Sequence, residues 1–193
     1  MNMNGMVAGG NARRLGNVLL RGAFLAVLVS PVGAALAAEP VSVICELGTS
    51  TRTFSPAATM NPRNINVSTS SAFSNCLTVL GQVVLNGSVT TGPNLQTGLT
   101  CSNPLTTGNG EATITWNTGE TSRFDYTSVD VSVAGLTTVV TYAGTVLHGK
   151  YYGATATWSI VYTTALLNLA CLTNPGGVSS LGGIANLTIT RVL

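Results

Sequence analysis

Charge is what this chain has least of. Among 193 residues there are eight Lys or Arg, six Asp or Glu and a single histidine, His148. Three of the cations, Arg13, Arg14 and Arg21, fall within the first 38 positions. The remainder carries Arg52, Arg63, Arg123, Lys150 and Arg191 against Glu39, Glu46, Glu111, Glu120, Asp125 and Asp130, a net charge of −1. Nothing in that set makes a basic patch for nucleic-acid phosphates or a polybasic run for anionic lipid. Nucleic acid is therefore excluded as a partner. A Ser–His–acid triad would have to use His148, and no G-x-S-x-G is present. The absence of a D-x-D-x-D run and of any C-x-x-C removes the usual calcium and zinc patterns. A glycosidase needs two acids flanking one bond. Asp125 and Asp130 differ by five positions, which on a regular strand sends them to opposite faces unless a bulge intervenes. The chain reads as non-enzymatic, with no cofactor and no metal.

Helix-loading residues are scarce too, and threonine takes their place, filling 28 of positions 38 to 193. β-branched side chains suit a pleated surface, and Gly and Pro punctuate at short intervals. This is an all-β composition.

The first 38 residues read as a secretory signal peptide. Arg13, Arg14 and Arg21 form a basic n-region, residues 22–36 are apolar and uncharged, and Ala35-Leu36-Ala37 supplies a small-x-small cleavage pattern. Pro31 and Gly33 interrupt a run at the lower limit of a membrane span, so no stable span is expected after cleavage. Residues 39–193 then make one domain. Cys45, Cys76, Cys101 and Cys171 all follow the cleavage site, and an even count in an exported chain points to two disulfides. Three pairings are possible. Cys76 and Cys101 flank a compact piece, which favours Cys76–Cys101 with Cys45–Cys171.

The clearest local message is GEATITWNTGETSRFDYT, residues 110–127. Ala112, Ile114 and Trp116 alternate with threonines, and Phe124 and Tyr126 alternate with Arg123 and Asp125. A two-residue turn would set Ile114 opposite Arg123 and mix the faces. A three-residue loop, Asn117-Thr118-Gly119, sets Ala112 opposite Phe124 and puts glycine where the chain needs a left-handed residue. Ala154 to Thr163 gives a second clean strand, with Ala156, Trp158, Ile160 and Tyr162 on one face. Thr164 to Leu172 reads as either strand or short helix. In all, nine or ten strands are expected, folded as a single antiparallel two-sheet β-sandwich stapled by disulfides. A parity change between Tyr126 and Val129 implies a bulge or burial on both faces.

The runs from Cys45 to Thr49 and from Phe54 to Pro56, GEATITWNTGETSRF, GKYYGATATW and Ala170-Cys171-Leu172 together resemble small secreted actinobacterial all-β proteins. The resemblance implies an exported β domain and brings no activity or site.

For a ligand contact the sequence offers His148, Lys150, Tyr151 and Tyr152, in HGKYYG. Adjacent residues on a strand face opposite ways, so one tyrosine should be exposed. An exposed tyrosine can stack on a sugar or anchor a protein. The expectation is a secreted, extracellular binding module or surface component whose partner is a glycan or a protein. A glycan module would show exposed aromatic rings, and a protein-directed one a charged or apolar patch of several hundred Å². The alternative is a membrane-active, pore-forming or toxin-like β protein, which would need an apolar outer band.

Overall fold

The computed structural model describes residues 40–105, 108–163 and 171–191. The expected signal peptide, and most of the segment from Thr164 to Leu172, lie outside the described residues. Among the described residues nine strands form: β1 (Val41–Ala58), β2 (Arg63–Phe73), β3 (Cys76–Leu80), β4 (Gly87–Leu99), β5 (Gly110–Trp116), β6 (Thr121–Ala134), β7 (Thr137–Gly149), β8 (Thr155–Thr163) and β9 (Val178–Arg191).

These strands do not build the expected sandwich. Strands β4 to β9 pair in sequence order, β9 pairs with β1, β1 with β2, and β2 with β4. Eight antiparallel strands thus close into a barrel, and β3 hangs on the first half of β1 as a ninth. The closing strand is β1. Its residues Thr49 to Thr53 pair with Ala72 to Ser68 on one side and with Ile184 to Ser180 on the other. Sandwich and barrel share the same inward–outward alternation, so periodicity does not separate them. What separates them is whether the first strand finds the last. An even number of strands lets an antiparallel meander do this with no parallel pair.

The interior is packed. Trp158, Tyr162, Phe124, Ile65, Ile114 and Leu187 are among its largest wholly buried side chains. The wall outside is rich in hydroxyls: β8 turns Thr155, Thr157 and Ser159 away from the core while Ala156, Trp158, Ile160 and Tyr162 are buried. The 110–126 hairpin adopts the expected register, with Ala112 opposite Phe124 and Thr113 opposite Arg123. Gly119 has φ +81°. Trp116 N donates to Glu120 O across the loop at 2.9 Å. The expected bulge is also present, as a register shift between Tyr126 and Ser128. It leaves Asp130 exposed while Val129 and Val131 pack against the core.

The two halves of β1, before and after Leu47, form one continuous strand. A bulge between Cys45 and Gly48, with Leu47 at φ 56°, joins them. It also resets which side chains point inward: Val43 and Cys45 before it, Ser50, Arg52 and Phe54 after it.

The disulfides are Cys45–Cys76 and Cys101–Cys171, correcting the pairing favoured from spacing. The register of β3 on β1 sets Cys45 directly opposite Cys76, with Cα atoms 4.0 Å apart. Compactness in sequence was the wrong guide, because β3 folds back onto β1 and carries Cys76 away from Cys101. Two disulfides point to an oxidising environment.

Trp116 is 2% exposed and donates from Nε1 to Ser122 Oγ at 2.9 Å. Trp116→Ala removes a buried indole and should cost about 3–5 kcal/mol in chemical denaturation. A loss near zero would mean that the hairpin face is not core.

Candidate functional site: an apolar rim held by the HGKYYG turn

The turns 117–120 and 150–154, the start of β1, the end of β9 and the β3 excursion all lie at one end of the barrel. There the structure separates the four residues of HGKYYG. His148 is exposed and opposite Arg123 in the register of β6 and β7. Tyr152 is 64% exposed, and its carbonyl accepts a hydrogen bond from Arg191 Nη1. Lys150 and Tyr151 are buried.

Those two buried side chains act as a clamp. Lys150 Nζ donates to Glu120 Oε2 at 2.6 Å and also to Gln82 Oε1. Tyr151, at φ 63°, donates its hydroxyl to Gln82 O at 2.8 Å and packs edge-on against Trp116, ring centroids 5.4 Å apart. The charge of Lys150 lies 5.2 Å from the Tyr151 ring centre. Hydrogen bonds from Lys150 and then Thr118 hold the Glu120 carboxyl below its ordinary range. Burial, with the Glu120 charge adding to it, pushes the Tyr151 phenol up to about 12.

Gln82 belongs to the connection from β3 to β4, and the clamp fixes that connection against the barrel end. Two further bonds fold it back along β3: Cys76 N to Leu85 O at 2.8 Å, and Val84 N to Thr78 Oγ1 at 3.0 Å. Val84 is turned fully inward. Its neighbours are not. Leu77, Val79, Leu80, Val83 and Leu85 are between 48% and 67% exposed, and Leu47 on the β1 bulge is 78% exposed. Leu47, Leu77 and Leu85 line one groove of about 700 Å³ with Ile44 and Cys76, and Glu46, Ser74, Asn75 and Asn86 supply its polar side. The result is an apolar rim on a braced loop. Sequence reading took Lys150 and Tyr151 for ligand contacts, whereas they are buried in the clamp, and it missed the rim. The signal was available in LTVLGQVVL, residues 77–85, whose apolar residues fall on both parities of a short strand hung outside the barrel.

The remaining polar groups fall into two sets. On the outer wall Arg123 Nε pairs with Asp125 at 3.2 Å and with Glu111 at 3.5 Å. Inside, a belt of hydroxyls crosses the barrel. Trp158 Nε1 donates to Ser71 Oγ at 3.2 Å, and Ser71 to Ser50 Oγ at 2.9 Å. Beside them lies Arg52, 4% exposed, donating from Nη1 to the Tyr142 hydroxyl at 3.0 Å. Burial raises both the Tyr142 and Tyr162 phenols, and the nearby Arg52 charge opposes it in each. Among the described residues no group of three or more His, Cys, Asp or Glu is placed to hold a metal ion. Comparison of the chain with protein families, with curated proteins and with solved structures found no match in any of the three.

The clamp predicts an alkaline limb. The Tyr151 phenol has an ordinary value of 10.0 and about 12 in the fold. Its contribution is intact below pH 10 and is lost as pH rises through that window, because the unfolded chain gives up its proton first. Denaturation midpoints from pH 9 to about 12 should fall less steeply in Tyr151→Phe than in the parent. Equal slopes would show that Tyr151 ionises normally in the fold.

Proposed function

We propose that this chain is a secreted, non-catalytic binding protein whose partner is a protein surface seated on the rim around Leu77 and Leu85. The observation that carries the reading is the rim itself. Val83 and Leu85 are held out by a loop that Lys150, Tyr151 and Glu120 brace from below, beside the exposed Leu77, Val79 and Leu80 of β3 and Leu47 of the β1 bulge. Contiguous apolar surface on a soluble domain marks an interaction site, and a braced loop loses little entropy when it binds. Export is supported by the two disulfides and by the basic, apolar and small-residue order of the first 38 residues.

A protein partner fits better than a glycan. Sugars stack on exposed rings, and here Trp116, Trp158 and Tyr151 are turned inward, leaving Tyr152 as the exposed ring of the turn. It fits better than a bilayer as well. A lipid-spanning barrel is apolar outside, whereas this wall carries Thr, Ser and ion pairs. Lys150, which reaches the rim loop at Gln82, is buried against Glu120 and so offers little to anionic headgroups.

The test uses the oxidised protein from residue 39 onward, with a photo-crosslinking side chain at position 77 or 85, exposed to the surface of the producing cells. One discrete protein adduct is expected, lost at least tenfold on adding Leu47→Asp to remove the neighbouring apolar side chain. Sedimentation separates a foreign partner from a second copy of the chain, and flotation with neutral and anionic vesicles tests the membrane reading. Co-flotation with vesicles, or adducts that Leu47→Asp leaves unchanged, would contradict a protein-directed rim.

A further inference from the structure

Arg52 is a charge without a counter-charge. A guanidinium stays protonated in any folded protein, and taking it out of water costs several kcal/mol unless it is paired. Among the described residues the ion pairs are Arg123 with Glu111 and Asp125, and Lys150 with Glu120; none involves Arg52. Its hydrogen bond goes to a neutral phenol, Tyr142, and its Nε is buried with no partner at all. The Tyr162 hydroxyl is buried beside the same belt, near Ser50 and Arg52. Strand registers hold the group rigidly, since Arg52 stands opposite Thr69 on β2 and Leu181 on β9.

Next to this charge is a space. The pairing of β4 with β5 runs only from Gly87 to Thr90 and then stops, although β4 continues to Leu99. Where the two strands part, Arg52 and Tyr142 line a cavity of about 50 Å³ with Thr69, Asn94, Gln96 and Asn109. That is several times the room one water needs. The remaining lining is Val67, Thr91, Gly108, Tyr126 and Val129, so no carboxylate lines the cavity.

We infer that this cavity is a binding site for a small monocarboxylate, of the size of acetate or propionate, taken up on Arg52. Arg52 lines the cavity, and a planar carboxylate there can accept hydrogen bonds from its guanidinium. One negative charge cancels the buried positive charge that has no ion pair. A phosphate or sulfate dianion would leave a net buried charge in place of the first. A sugar or nucleotide is far too large for the space. The amides of Asn94, Gln96 and Asn109 give the bound oxygens further donors, and the seam between β4 and β5 gives the ligand its entry. The site is on the flank of the barrel and does not depend on the rim or its partner.

The experiment is a titration of the oxidised, exported chain, labelled with ¹⁵N, in which the arginine Nε–H resonances are followed. Sodium acetate is the probe; sodium chloride and sodium phosphate at matched ionic strength are the comparisons. Arg52→Lys identifies the resonance by its loss. The expected result is a saturable shift of the Arg52 Nε–H signal with acetate, no saturation with chloride and at least tenfold weaker response to phosphate. Tyr142 stacks on Trp158 with ring centroids 4.7 Å apart, so tryptophan fluorescence should follow the same acetate curve and be flat in Arg52→Lys. Shifts that track ionic strength alone, saturation by chloride or phosphate in preference to acetate, or an acetate-dependent fluorescence change retained in Arg52→Lys would each overturn the assignment. If the variant does not fold, the parent titration decides by the first two outcomes.

Discussion

Everything in this molecule hangs on β1 being paired along both edges. A β-sheet with open edges exposes rows of unmet N–H and C=O groups. Here β1 bonds to β9 over nearly its whole length and to β2 over its second half, while β3 covers part of its first half. Closure follows from that one strand. So does the division of the molecule into a packed interior and a hydroxyl-rich wall. The bulge between Cys45 and Gly48 lets one long strand serve both neighbours.

The same bulge decides what β1 contributes to the interior. By resetting the alternation it turns Ser50, Arg52 and Phe54 inward. A barrel whose core were wholly apolar would have no use for a guanidinium, and the belt of Ser50, Ser71, Trp158 Nε1 and Tyr142 is built around it without neutralising it. Close by, Leu47 in the bulge joins the apolar rim, and Cys45 just before it fastens β3. One irregularity of the backbone therefore touches both surfaces assigned a binding role.

Much of the local structure was legible in the sequence. The 110–126 hairpin was, because only one loop length keeps Ala112, Ile114, Trp116, Phe124 and Tyr126 on one face, and Gly119 sits where that loop needs it. The bulge after Tyr126 was legible from its parity change. The exposed tyrosine of HGKYYG was expected in kind, and Tyr152 is that residue. The global choice was not legible. Barrel and sandwich place the same residues inward, and the pairing of β1 with β9 joins positions more than a hundred residues apart. The disulfides failed for the same reason, since Cys45 meets Cys76 only once β3 lies on β1. Arg52 was not singled out as an inward residue. Its even spacing from Phe54 was the clue that it shares the inward face.

Closure is also the claim that a single measurement reaches most directly. Along an antiparallel strand, successive N–H groups point to alternate neighbours. With β1 bonded on both sides, the amides of Thr51, Arg52 and Thr53 all have strand partners. Native-state hydrogen exchange resolved by residue should therefore show slow exchange at odd and even positions alike from Thr49 to Phe54. Alternation, with every second amide in that stretch exchanging at the rate of an open edge, would mean that the sheet is not closed at β1.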